Sequence, residues 1–141
     1  MLDAIKALLA ILTALFITSC TQQKTISPEE LRSAVTQAIS LASESDMLID
    51  SVLQKRVTRS YARGHIEYLL DAVARTRQDL NASSPELSNK EHLCKSRQQL
   101  DLLVKVLTEA QSELDNAESL QAAKRPLTRV EEVLRNIRGA L

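Results

Sequence analysis

The feature that most limits what this chain can become is an apolar repeat with alternating steps of three and four residues. It runs through Leu31, Val35, Ala38, Ala42, Ser45, Ile49, Val52, Arg56, Arg59, Arg63, Ile66, Leu70, Val73, Arg77 and Leu80. A repeat of that period keeps one seam of a helix turned toward a partner helix when the two supercoil left-handedly. No Pro interrupts the run, and Gly64 is its weak point. The seam is poor at Arg56, Arg59 and Arg63, which marks a bend or break between Lys55 and Gly64. Ser27-Pro28-Glu29-Glu30 starts the helix, with Ser as N-cap, Pro at the first helical position and Glu placed to close a capping box.

A second repeat follows a turn at Asn81-Ala82-Ser83-Ser84-Pro85-Glu86, after which Ser88-Asn89-Lys90-Glu91 offers another capping box. Leu93, Leu100, Leu107 and Leu114 recur at sevenfold spacing, with Ser96, Leu103, Ala110 and Ala117 between them. A last series, Leu120, Ala123, Leu127, Val130, Leu134, Ile137 and Leu141, starts one residue early, and that shift together with Pro126 marks a kink or a break there, the poor N-cap Arg125 favouring the kink. Two arms result, about 28–80 and 91–139. They form either one long antiparallel hairpin or, each folded in half, a small three- or four-helix bundle with coiled-coil-like packing. The expected fold class is all-α in both cases.

Composition supports the same reading. Only 2% of the 141 residues are aromatic, and two Gly with three Pro cannot supply the turns of a sandwich or barrel. Eighteen basic and eighteen acidic side chains cancel, so the global positive field that favours nucleic-acid binding is missing, and no nucleic-acid partner is expected.

The N-terminus carries an address. Lys6 precedes an uncharged apolar run from Ala7 to Ile17, which is too short to span a bilayer at the usual requirement of about 20 residues. The run closes on Ile17-Thr18-Ser19-Cys20, which resembles the lipobox of bacterial lipoproteins. The resemblance implies a signal peptide over 1–19, cleavage by signal peptidase II before Cys20, and a diacylglyceryl and N-acyl (palmitate-type) lipid on that cysteine. It implies no other cofactor. Residues 20–27 are then a lipidated tether and 28–141 the helical domain. Thr21 after the cysteine favours the outer membrane, facing the periplasm, in a Gram-negative host.

Two features of the mature part stand out. Residues 54–65 hold Lys55, Arg56, Arg59 and Arg63 with no acid, while Glu109, Glu113, Asp115 and Glu118 form a stretch without a base. In a hairpin turning near residue 85 the two stretches face each other, so Arg56 and Arg59 pair with Glu113 and Glu109; otherwise the basic stretch is a patch for phosphate or an acidic partner. Tyr61, His65, Tyr68 and Ala72, at spacings of four, three and four, make a second stripe about 120° from the apolar one. Such a stripe marks either an inner helix with two neighbours or a docking surface, where Tyr is favoured. Cys94, beside Leu93, is expected to pack as a small buried hydrophobe, the alternative being an intermolecular disulfide. His92 is expected at the surface.

Enzyme signatures are missing from the sequence. His65 and His92 are not at metal-ligand spacing, and there is no Glu-x-x-His pair, Gly-rich phosphate loop or nucleophile elbow. The expected function is that of a membrane-anchored, non-enzymatic lipoprotein that binds or positions another cell-envelope protein through Tyr61, His65, Tyr68, Arg56, Arg59 and Arg63. In size and layout it is similar to helical pilotin lipoproteins and to small exclusion or accessory lipoproteins of mobile elements. The alternative is a bundle that carries or senses a small apolar ligand in the periplasm, with space left by Ala38, Ala42, Ser45 and Thr76.

Overall fold

A computed structural model describes residues 24–141. Four helices dominate them: α1 (Pro28–Leu53), α2 (Arg59–Asn81), α3 (Lys90–Ser112) and α4 (Ala117–Ala140). Two three-residue strands, β1 (Lys24–Ile26) and β2 (Ser83–Pro85), pair in parallel, and a short 3₁₀ turn spans Leu87–Asn89. The helices form an up-down-up-down ring in which each contacts its sequence neighbours and α1 also closes on α4; that last interface is the most extensive. Both arms are therefore folded in half. The long hairpin is excluded, and the small four-helix bundle stands.

Local chemistry explains each boundary. Ser27 Oγ accepts from the Glu30 amide while Glu30 Oε2 accepts from the Ser27 amide, so the capping box closes as its sequence predicts. The expected break after Lys55 falls at residues 54–58. Lys55 takes the left-handed conformation at φ 55°, and Thr58 then caps α2 by accepting from the Tyr61 amide.

Two expectations about the other turns are corrected. Pro126 lies inside α4, and the reversal comes ten residues earlier at Glu113–Asn116, where the Asn116 side chain accepts from the Glu118 and Ser119 amides. A strong N-cap placed there starts α4, so the chain does not break at the proline, and Ala117 falls outside the core. The capping box at Ser88 does not form, because Leu87–Asn89 winds as 3₁₀ turn directly into α3 and Asn89 makes no side-chain cap.

The core joins all four helices and is aliphatic. The second and third repeats fill it with Leu93, Leu100, Leu103, Leu107 and Leu114, then Leu120, Leu127, Val130, Leu134 and Ile137. On α1 the first repeat holds from Leu31 to Ile49. On α2 it holds in part: Ile66, Val73 and Leu80 are buried as counted, but Ala62, Leu69 and Thr76 take the places of Arg63, Leu70 and Arg77, Ala72 joins them, and Arg59 is exposed. The five residues between α1 and α2 rotate the core face, so a repeat counted straight through the break is one position off at every second member.

Part of the expected tether is structured. Lys24, Thr25 and Ile26 lie beside Ser83, Ser84 and Pro85, and the Ile26 side chain is buried in the core. Arg97 of α3 reaches the same place. Its guanidinium donates to the carbonyl of Leu80 and, at 2.8 Å, to that of Ser83, clamping the end of α2 to the start of β2.

Candidate functional site

The outer surface of α2 carries the aromatic stripe. Its core positions centre on one side, and at 100° per residue Tyr61, His65 and Tyr68 fall within about 60° of one another, roughly 100° away from the core. The rings stack in sequence. Tyr61 and His65 have centroids 5.6 Å apart and nearly parallel planes at 22°, and His65 and Tyr68 are 5.8 Å apart at 49°. Both tyrosines are 55% exposed, whereas His65 between them is half-buried. Ala72, the fourth member, is buried in the core.

One contact fixes the middle ring. His65 Nε2 is 2.7 Å from Glu44 Oε1 of α1. A carboxylate oxygen accepts, so Nε2 is the donor in this contact. The imidazole thereby bridges α1 and α2 and holds the two phenols in a line on either side. Gly64 has open space where a side chain would stand, so close approach of another chain is sterically free at that point.

The arginines do not join this stripe. Arg59 and Arg63 sit on the opposite flank of α2, about 160–200° around the helix from Tyr61, where the helix turns toward α3. Arg59 pairs with Asp115 in the α3–α4 turn, both side chains being well exposed. The ion pair expected with Glu109 is replaced by this one because α2 and α3 pair in a register that sets Arg77 opposite Asp101 and Glu67 opposite Gln111, which carries Arg59 past Glu109 to the turn after α3. Glu109 instead faces Lys105 on its own helix at 3.9 Å, and with Glu113 and Asn116 it lines a cleft of about 460 Å³ between α3 and α4. Arg56 lies exposed in the α1–α2 turn. The six candidate residues thus form two separate surfaces, with Tyr61, His65 and Tyr68 on one and the arginines on the other.

Two further expectations are corrected here. Cys94 is exposed: it follows Leu93 by 100°, and that single step carries it out of the seam. His92 is half-buried, with Nδ1 enclosed and unbonded among the described residues. Cys20 lies outside the described residues. Among those residues no group of three or more His, Cys, Asp or Glu side chains is arranged to hold a metal, and no helix is long and apolar enough to cross a membrane.

The polar groups that were candidates for a ligand space are used internally. Ser45 Oγ donates to the Leu41 carbonyl at 2.6 Å and Thr76 Oγ1 to that of Ala72 at 3.1 Å, while Ala38 and Ala42 are packed in the core. Another polar cluster spans α1 and α4. Lys124 Nζ is 2.5 Å from Asp50 and 3.5 Å from Asp46, and the hydrogen bond to Asp50 holds the ammonium above its ordinary value of 10.5. Sequence spacing gave no sign of it, since its members are more than seventy positions apart.

Comparisons with protein-family models, curated proteins and solved structures returned no match.

Proposed function

We propose that this chain is a lipid-anchored, non-enzymatic helical lipoprotein of the bacterial cell envelope that docks another envelope protein on the α2 flank bearing Tyr61, His65 and Tyr68. The single observation that carries the docking surface is the stacked row of two exposed phenols about a fixed imidazole. Such a row gives a partner a large, rigid, amphipathic contact with few torsions to freeze, which is why Tyr is enriched at interface centres. A helix needing those side chains only for its own core would bury them; here the core is complete without them. The arginines stand on the other flank and are left out of this contact.

The anchor rests on the lipobox-like Ile17-Thr18-Ser19-Cys20, with the covalent lipid on Cys20 as the membrane attachment. By the same resemblance the protein sits at the outer membrane facing the periplasm of a Gram-negative host, in an accessory role of the pilotin or exclusion type.

Two experiments test the two halves. Metabolic labelling with a fatty-acid analogue is expected to mark the wild-type chain and not Cys20→Ser; equal labelling of both overturns the anchor. Photocrosslinking in cells from a reactive residue at Tyr61 or Tyr68 is expected to capture one discrete protein, and the same residue at the exposed Thr108 is expected to capture none. Equal capture from all three positions, or lipid alone at the tyrosines, overturns the docking surface.

A further inference from the structure

We infer that the bundle stands end-on at its membrane, with the α2–α3 connection against the lipid and Leu87 dipping into the interface. This rests on the lipid anchor proposed above, and adds to it an orientation and a second contact.

The argument begins with where the chain enters the bundle. β1 begins at Lys24 and is held beside β2, with Ile26 buried, so the first described residues are fixed to the connection that follows α2. Four peptide units separate Cys20 from Lys24. Even fully extended they reach about 14 Å. A lipid on Cys20 therefore holds the β1–β2 end of the bundle within that distance of the headgroups. The opposite end, with the 54–58 turn, lies the length of α1 away. At 1.5 Å per residue its 26 residues span about 39 Å.

The second observation is independent of the anchor. Leu87 is 97% exposed, the most exposed large hydrophobic residue among those described, and it sits at the tip of this same connection. It belongs to no core cluster. The 3₁₀ turn Leu87–Asn89 runs directly into α3 with Asn89 buried, and it carries Leu87 outward at the start of that helix. One leucine does not hold a protein on a membrane. Here the acyl chains have already done so, and a side chain on the connection that β1 is held beside meets lipid at a high effective concentration. Glu86, Ser88 and Lys90 around it are exposed, so polar groups ring the apolar tip at headgroup level.

The orientation has a consequence for the docking flank. Tyr61 lies one turn from the far end of the bundle, so the anchor projects it roughly 35 Å from the membrane, into the space where a soluble or membrane-spanning partner is met.

The test uses the full, lipidated chain with Cys94→Ser as background, because Cys94 is exposed and would itself be labelled. A single cysteine at Leu87 or at Arg56 carries an environment-sensitive fluorophore, and the protein is reconstituted into phosphatidylcholine vesicles with and without doxyl-labelled phosphatidylcholine. Fatty-acid labelling at Cys20 is read on the same preparations. The expected result is blue-shifted emission and severalfold stronger quenching at 87 than at 56. With Cys20 lipidated, equal or absent quenching at 87 overturns the end-on orientation and leaves the anchor standing. Without lipid on Cys20, both fall together. Leu87 and Arg56 are exposed, so neither label endangers the fold, and unchanged helical circular dichroism verifies it.

Discussion

The two ends of the bundle are built by different means. At one end β1 pairs with β2, Ile26 fills the core, and Arg97 ties α3 to the carbonyls that close α2. At the other, α1 turns into α2 and α3 into α4 through short loops linked by the exposed Arg59–Asp115 pair, and Lys55 sits in a left-handed conformation that costs a non-glycine residue about 1–2 kcal/mol. One end is cross-braced and the other relies on caps. The difference teaches that the end where three segments meet is tied by strand pairing and a side-chain clamp, whereas a short turn with a good N-cap, Thr58 or Asn116, reverses a helix without either.

Substitutions sharpen the contrast, and the largest effect is expected in the braced end. Leu80→Ala removes a fully buried side chain beside the Arg97 contact and is expected to cost about 2–5 kcal/mol, read as a lowered midpoint in urea unfolding. Arg97→Ala leaves the Leu80 and Ser83 carbonyls without their donor and is expected to cost about 1–3 kcal/mol. Hydrogen exchange supplies the sharper reading: protection should fall first at 80–85 and not at 54–58. Uniform loss would mean that the bracing is global.

Between the ends, the Lys124–Asp50 contact ties α1 to α4. Its ammonium is stabilised in the folded state, chiefly by that hydrogen bond, so the contribution is fully present below the ordinary value of 10.5 and lost as pH rises through the raised one. Lys124→Gln is therefore expected to be less stable by about 1 kcal/mol at neutral pH, and the gap should close in alkaline melts above that value. A gap independent of pH would assign the loss to packing.

Effects at the capped end are expected to be small. Lys55→Gly relieves the left-handed backbone but frees the unfolded chain, for a net gain below about 1 kcal/mol. Arg59→Ala is expected to change the thermal midpoint least, by a few tenths of a kcal/mol, since both partners of its ion pair are exposed and screened. A loss as large as that of Arg97→Ala would erase the distinction between the ends.

What could be read in advance follows the same division. The core of α3 and α4 was legible because leucines at fixed period point one way in any helix, and the Ser27 box because its two bonds are local. The phase of α2 was not, since the break that resets it holds no Gly or Pro, only a Thr cap whose meaning depends on Lys55 turning left-handed. Asn116 was overlooked beside the more conspicuous Pro126, although an Asn cap is a start signal and α4 runs on through the proline. Arg97 and Lys124 were not legible, because their partners lie on other helices and no spacing rule reaches them. For the aromatic stripe, its existence could be counted from the residue numbers; its separation from the arginines required knowing which way α2 faces its neighbours.

The ring closes between α1 and α4, the first and last helices, and theirs is the broadest interface in the molecule. The apolar face that α1 turns toward α4 is therefore covered only once α2 and α3 have brought α4 round to it. That closure joins segments separated by the whole of α2 and α3 and carries the entropy of a long loop. Detachment of α4 alone would leave that face bare and aggregation-prone.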